Sequence, residues 1–188
     1  MKKVILLSVA IALALFLALA TSVAAQKGFV ASASLASTGV SFDREDIRNE
    51  SGFGLQLDLG YNFNPRVGLF LGLGGFALED EDETLGYLDI GPRFYPISSR
   101  GLQPYIDVGV TASAFASDED GIETTISGVG VSGGGGIHWF VGRNVGLNLG
   151  IIMTRINYDT VKSEGVTVDG LDFKAWNSRI KAGVAVYF

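Results

Sequence analysis

The chain of 188 residues contains no cysteine, a single histidine and only four prolines. Without cysteine there is no disulfide, no thiol chemistry and no acylated lipoprotein anchor, so stability must come from backbone pairing and packing. The lone histidine, His138, is followed by Trp139-Phe140 rather than by a serine two residues on, and no Ser/His/acid constellation can be placed from spacing. After Ala20 no apolar run reaches the about 20 residues that a membrane-spanning helix needs. A basic stripe is missing too: the formal net charge is −6, which excludes nucleic acid as a partner because nothing meets its phosphates. Gly133 to Gly136 lie inside an alternating segment and form no phosphate-binding loop.

What is present begins with Lys2 and Lys3, then an apolar run from Val4 to Ala20 broken only by Ser8, then Thr21-Ser22-Val23-Ala24-Ala25. This pattern predicts a secretory signal peptide over residues 1–25, cleaved before Gln26, with Val23 and Ala25 as the small residues of the cleavage site. An uncleaved anchor is the competing reading, since the run exceeds the roughly 7–15 residues usual for a signal core. Residues 26–188 then form one domain.

In that domain the dominant signal has a period of two. Phe53, Leu55, Leu57, Leu59, Tyr61 and Phe63 alternate with Gly54, Gln56, Asp58, Gly60 and Asn62, and Val145, Leu147, Leu149, Ile151 and Met153 alternate with Gly146, Asn148, Gly150 and Thr154. An amphipathic helix cannot produce this pattern. Eight such segments are expected, at Phe29–Ser37, Gly52–Phe63, Val67–Ala77, Leu85–Tyr95, Gln103–Phe115, Gly128–Phe140, Val145–Ile156 and Phe173–Phe188. Each is near the roughly 9–11 residues that a tilted transmembrane strand requires. A soluble barrel would alternate equally, but the polar faces carry Gly130, Ser132, Gly134, Gly136 and Asn148, too small and too polar for a soluble core. The expected fold is therefore all-β: an eight-stranded antiparallel up-and-down transmembrane β-barrel, closed because hydrocarbon cannot satisfy open strand edges. Pro92 falls within a strand and predicts an edge, a bulge or a locally distorted ladder.

Connections alternate between short and long. Asn64-Pro65-Arg66, Pro96 to Leu102 and Val141 to Asn144 are short and suit the periplasmic side, whereas Thr38–Ser51, Leu78–Thr84, Ala116–Ser127 and Asn157–Asp172 are long and are expected to face outward as loops. Seventeen of the twenty acidic residues lie in those four long stretches, and the other three, Asp58, Asp89 and Asp107, share the polar strand face. No carboxylate is left to face lipid.

The final strand, Lys181-Ala-Gly-Val-Ala-Val-Tyr-Phe188, resembles the C-terminal signal by which the outer-membrane assembly machinery recognises unfolded barrels, with Lys181, Gly183, Val186 and Phe188 in the signal positions. Leu59 to Leu69, Pro92-Arg-Phe-Tyr-Pro96 through Gln103–Gly109, and Trp139 to Leu147 resemble the strand-turn-strand hairpins of the small outer-membrane β-barrel family, the OmpA-barrel and OmpX type. That resemblance implies localisation in the cell outer membrane, contact with its lipid and lipopolysaccharide, and a monomer. It also implies a mixed set of roles: structural anchor, surface interaction, or passage of small or hydrophobic solutes. Nothing follows Phe188 that could bind peptidoglycan, so cell-wall tethering is not expected.

Alternation places Asp58, Asp89, Arg93, Asp107, Arg179 and Lys181 on the inner face, three acids and three bases. In a narrow lumen these are expected to form a network of ion pairs that plugs the bore, the alternative being a gated ion path in which the pairs exchange partners. Glu79-Asp-Glu-Asp-Glu83 and Asp118-Glu-Asp-Gly121 suggest recruitment of divalent cations, although neither has the full spacing of a calcium loop, and a solvated acidic rim is the other reading. Tyr87, Tyr95, Tyr105, Trp139, Phe140, Trp176 and Phe188 lie toward strand ends and are expected to form an interfacial aromatic belt. No catalytic residue, cofactor or metal site is assigned. An outer-membrane lipid-modifying enzyme is the alternative of another class, and it would need His138 beside a hydroxyl nucleophile.

Overall fold

The computed structural model describes residues 27–43, 49–79, 83–97, 101–119, 122–163 and 166–188. Residues 1–26, which hold the expected leader, lie outside the described residues, as do 80–82 and 120–121 of the acidic segments.

All regular structure among the described residues is strand: β1 (Gly28–Phe42), β2 (Glu50–Asn64), β3 (Val67–Leu78), β4 (Glu83–Phe94), β5 (Leu102–Glu119), β6 (Ile122–Phe140), β7 (Val145–Ser163) and β8 (Val166–Tyr187). Each strand pairs antiparallel with the next, and β1 pairs with β8 from Val30↔Tyr187 to Phe42↔Ala175, closing the barrel. The closure is tied at the termini, where the Phe188 amide donates to the Phe29 carbonyl at 2.8 Å. Closure leaves no unpaired edge around the ring, the condition for a sheet surrounded by hydrocarbon.

The alternation read from the sequence maps onto the two sides of the wall. Leu55, Leu57 and Leu59 of β2 and Leu149, Ile151 and Met153 of β7 project outward and are exposed, while Gln56, Asp58, Asn148 and Thr154 are buried inside. This is the inverse of a water-soluble protein. On β7 the outward apolar series runs from Val145 to Met153 and stops at Arg155, a length suited to a tilted strand crossing a bilayer core.

Three features bear on the expected layout, the first and third as departures and the second, at Pro92, as the expected local distortion of a ladder. Among the described residues the stretches 116–127 and 157–172 are strand rather than loop: β5 and β6 stay paired to Glu119↔Ile122, and β7 and β8 to Ser163↔Val166. The reason lies in composition, since Thr124, Thr125, Ile126, Val161, Val166, Thr167 and Val168 are β-branched and extend the ladders beyond the apolar band. One half of the wall, β5 to β8, is thereby taller than the half built from β1 to β4. Second, Pro92 faces outward, and the β4–β5 ladder is interrupted at Gly91 and Pro92 between Ile90↔Val110 and Arg93↔Asp107, with no change of register. Proline has no amide to donate, which accounts for the gap.

Third, the aromatic belt is smaller than expected. Tyr87, Tyr95 and Tyr105 point into the barrel and are 1–3% exposed, and Phe140 packs inward against Tyr187. Tyr87 shares strand parity with Asp89 and Arg93, so the same two-residue rule that placed those charges inside should have placed the tyrosine with them. Trp139 and Trp176 do face outward, joined by Phe29, Tyr61 and Phe63, whose rings meet edge to face at 4.9 and 5.3 Å.

At one end of the barrel lie both strand termini and the short connections, here the turn end. Asn64 forms one of these turns, its Oδ1 accepting from the amides of Arg66 at 2.8 Å and Val67 at 3.0 Å. At the other end the taller strands project, here the hairpin end.

Candidate functional site

The barrel interior is stratified along its axis. Its middle is defined by one ladder row: Ser32, Asp58, Gly72, Asp89, Thr111 and Gly130 are successive partners across β1 to β6. Glycine at position 72 lets two carboxylates approach across one strand. A Cβ added there would stand 3.0 Å from Asp58 Oδ1 and 3.4 Å from Asp89 Oδ2. Two carboxylates so close in a place of low dielectric demand cations, and β8 supplies both.

Lys181 Nζ donates to Asp58 Oδ2 at 2.6 Å, and Ser32 and Gln56 donate to the same carboxylate at 2.9 Å each. Arg179 reaches Asp89 through two bonds of 2.6 and 2.8 Å, donates to Thr154 at 3.1 Å, and lies 4.1 Å over the ring of Tyr87. Thr111 completes Asp89 at 2.5 Å. The third pair is bidentate: Arg93 Nε and Nη2 each donate to Asp107 at 2.7 Å, with the guanidinium 4.2 Å from the Tyr105 ring centre and 5.1 Å from that of Phe70. All six charged side chains are at most 3% exposed. The six residues singled out from alternation thus meet as three ion pairs. Which acid meets which base is information the sequence did not carry.

Toward the turn end the pairs give way to an aromatic and amide layer. Tyr105 donates to Asn148 Oδ1 at 3.0 Å, His138 Nδ1 is hydrogen-bonded to the Tyr187 hydroxyl, and the His138 ring sits 4.8 Å from that of Tyr105. His138 is fully buried among tyrosine and amide side chains, and its ring nitrogen partner is a phenol rather than a serine or threonine. Tyr105 fits under β6 and β7 because those strands have glycine there: a Cβ at Gly136 or Gly150 would stand 2.5 Å from its hydroxyl. Gly136→Ala is expected to lower stability by about 1–3 kcal/mol through this overpacking. The shift of the heat-modifiable band on a gel measures it.

Toward the hairpin end the interior turns apolar. Val40, Phe76, Leu78, Leu85, Ile156 and Ala175 form one buried cluster, with Phe42, Phe115, Ile126 and Phe173 packed against it. Tyr87 and Tyr158 bound it on the polar side through Thr38 at 3.4 Å and Ser113 at 3.2 Å. Sequence reasoning described the inner face by its glycine, polar and charged residues and missed this layer. Its signal was available in β3 and β4, where Phe76, Leu78 and Leu85 have inward parity.

Of the acidic segments, Glu79 accepts from Ser51 at 2.5 Å, and no cluster of three metal-ligating residues occurs among the described residues. Of the terminal signal residues, Lys181 is in the ion-pair layer, and a Cβ at Gly183 would meet Ser34 Cα at 2.5 Å. Val186 pairs with Ala31 and Val145, and Phe188 is tied to Phe29.

Comparison with known proteins agrees with this architecture. Residues 8–188 match the outer membrane protein beta-barrel domain family. Among curated proteins none matches the sequence. Among solved structures, neisserial surface protein A is 18% identical with a TM-score of 0.69, the match covering 87% of this chain and 99% of that one. OprG from Pseudomonas aeruginosa is 16% identical with a TM-score of 0.57, over 87% and 97% of the two chains. Ail, the attachment invasion locus protein of Yersinia pestis, is 17% identical with a TM-score of 0.54, over 85% and 99%. At such identities the likeness carries the fold alone. With the family match covering nearly its whole length, this chain belongs to the outer membrane protein beta-barrel domain family and is an outer-membrane protein.

Proposed function

We propose that this protein is a closed-bore outer-membrane barrel whose role is structural or one of surface interaction, exerted at its hairpin end. The carrying observation is the stacking of three buried ion pairs beneath an apolar cluster inside a ring of eight strands. Each is costly to move: the pairs because separated charges are unsolvated there, the cluster because a wetted path would expose its apolar surface. In this reading the turn end faces the periplasm, and the taller wall of β5 to β8 carries acidic residues outward. Residues 1–25 act as the export signal, Lys181, Gly183, Val186 and Phe188 engage the assembly machinery, and the barrel works as a monomer in contact with membrane lipid and lipopolysaccharide. Recruitment of divalent cations by the segments Glu79–Glu83 and Asp118–Gly121 belongs to the same reading. Calorimetric titration with millimolar Ca²⁺ is expected to release heat, and a flat trace removes it.

Planar-bilayer recording tests the closed bore directly. Pure protein is expected to show no steady large conductance, and its appearance would replace a plug by a pore. A second reading, narrow passage of small or hydrophobic solutes, draws on different observations. Ser34 Oγ, Gln56 Oε1 and Arg179 Nε are buried without a protein partner among the described residues, and groups of that kind are satisfied by ordered water. The interrupted ladder at Pro92 is where strands would part for a lateral exit. Enzymatic action has no support in the surroundings of His138.

A further inference from the structure

The wall carries a charged cluster on its outside that the interior network does not explain. Outward strand positions from β1 to β6 hold no lysine or arginine among the described residues. On β7 the outward series Leu147, Leu149, Ile151 and Met153 ends at Arg155, and on β8 the series that includes Ile180 and Trp176 ends at Lys174. The register sets Arg155 opposite Trp176 and Lys174 opposite Asn157, so both cations sit immediately above the apolar band on adjacent strands. An outward cation within that band would be destabilising, whereas at its border it faces headgroups.

The cluster is organised. Arg155 lies 5.1 Å over the Trp176 ring and grips Asp43 with both terminal nitrogens, one bond being 2.8 Å. Asp43 is held in place by its amide, which donates to the Lys174 carbonyl at 3.0 Å. The Arg155 side chain stays 29% exposed and Lys174 is exposed, so both can reach a further acceptor. Both are cations on an end of the molecule where acids dominate. Hydrogen bonding to Arg155, with Lys174 nearby, also holds the Asp43 carboxyl below the usual carboxylate range.

We propose that Arg155 and Lys174, oriented by Asp43 and Trp176, form a binding site for the phosphate of a lipid headgroup in the outer leaflet. Trp176 marks the interface, the acyl chains of that lipid run down the Ile151 and Ile180 face, and its phosphate meets the Lys174 ammonium and the N–H groups of Arg155 that Asp43 leaves free. The inference rests on the membrane-lipid contact of the proposed function and gives it a location.

The test uses the refolded protein in nanodiscs of zwitterionic lipid, with native mass spectrometry reading retention of diphosphoryl lipid A, of its dephosphorylated form, and of inorganic pyrophosphate. The parent protein is expected to retain the diphosphoryl lipid over the dephosphorylated one. Lys174→Gln is expected to lower that retention about fivefold, Lys174→Arg to restore it, and Asp43→Asn to raise it by freeing Arg155. Heat-modifiable gel migration verifies that each variant is folded. Retention by Lys174→Gln equal to the parent overturns the site alone. Displacement of the lipid by equimolar pyrophosphate overturns a lipid as the occupant. Failure of the parent to retain either lipid overturns the lipid contact of the proposed function as well.

Discussion

Replacing Arg179 by methionine lowers the free energy of unfolding by about 3–5 kcal/mol, because it strands the Asp89 carboxylate in the interior with only Thr111 to bond it. The measurement is a urea titration of the barrel in lipid vesicles, followed by tryptophan fluorescence from Trp139 and Trp176. The double change Asp89→Leu with Arg179→Met recovers most of the loss, since a buried pair exchanged for apolar residues of similar volume is often neutral or better. That contrast between single and double variants separates two states of the bore. If water filled it, both members of the pair would stay solvated and the single variant would cost no more than about 1 kcal/mol, as for exposed pairs. A small loss would therefore argue against the plug even in a barrel that conducts nothing.

Leu149→Arg, at the middle of the outward apolar series of β7, costs about 2–4 kcal/mol, whereas Asn157→Arg, beyond the band, costs at most about 1 kcal/mol. Leu149 is 61% exposed. In a water-soluble protein a change at so exposed a position would fall within about ±0.5 kcal/mol. The sign of the difference between the two variants thus reports which solvent the wall meets, and equal costs would remove the hydrocarbon from around it. Side-chain placement explains the contrast: outward residues have no protein partner for a new cation, and at mid-depth the side chain cannot reach the headgroups.

The two experiments probe opposite sides of one sheet, and they work together because a strand shows its faces to different solvents at alternate residues. A shift of one residue in any strand would exchange Leu57 with Asp58, or Ile180 with Arg179, putting a charge into lipid and a leucine or isoleucine among ion pairs. Register is therefore enforced from both faces. Ring closure adds a third constraint, because β1 must meet β8 at the register that brings Phe188 to Phe29.

Residue order alone was enough for eight strands, for the outward apolar series of β2 and β7, and for the gathering of Asp58, Asp89, Arg93, Asp107, Arg179 and Lys181 on the inner face. These follow from a two-residue period and from the cost of charge in hydrocarbon, both local properties of the chain. The ends of the strands were less legible, because β-branched residues between 122 and 127 and between 161 and 168 extend a ladder only when a partner strand continues beside them. Only the closed ring decided that Asp58 meets Lys181, Asp89 meets Arg179 and Arg93 meets Asp107, that Tyr87 and Tyr105 cover the two guanidiniums, and that Phe76, Leu85 and Ile156 meet in one apolar layer. These partners come from strands distant in sequence, and their meeting depends on the stagger of the sheet around the barrel, which no single strand encodes.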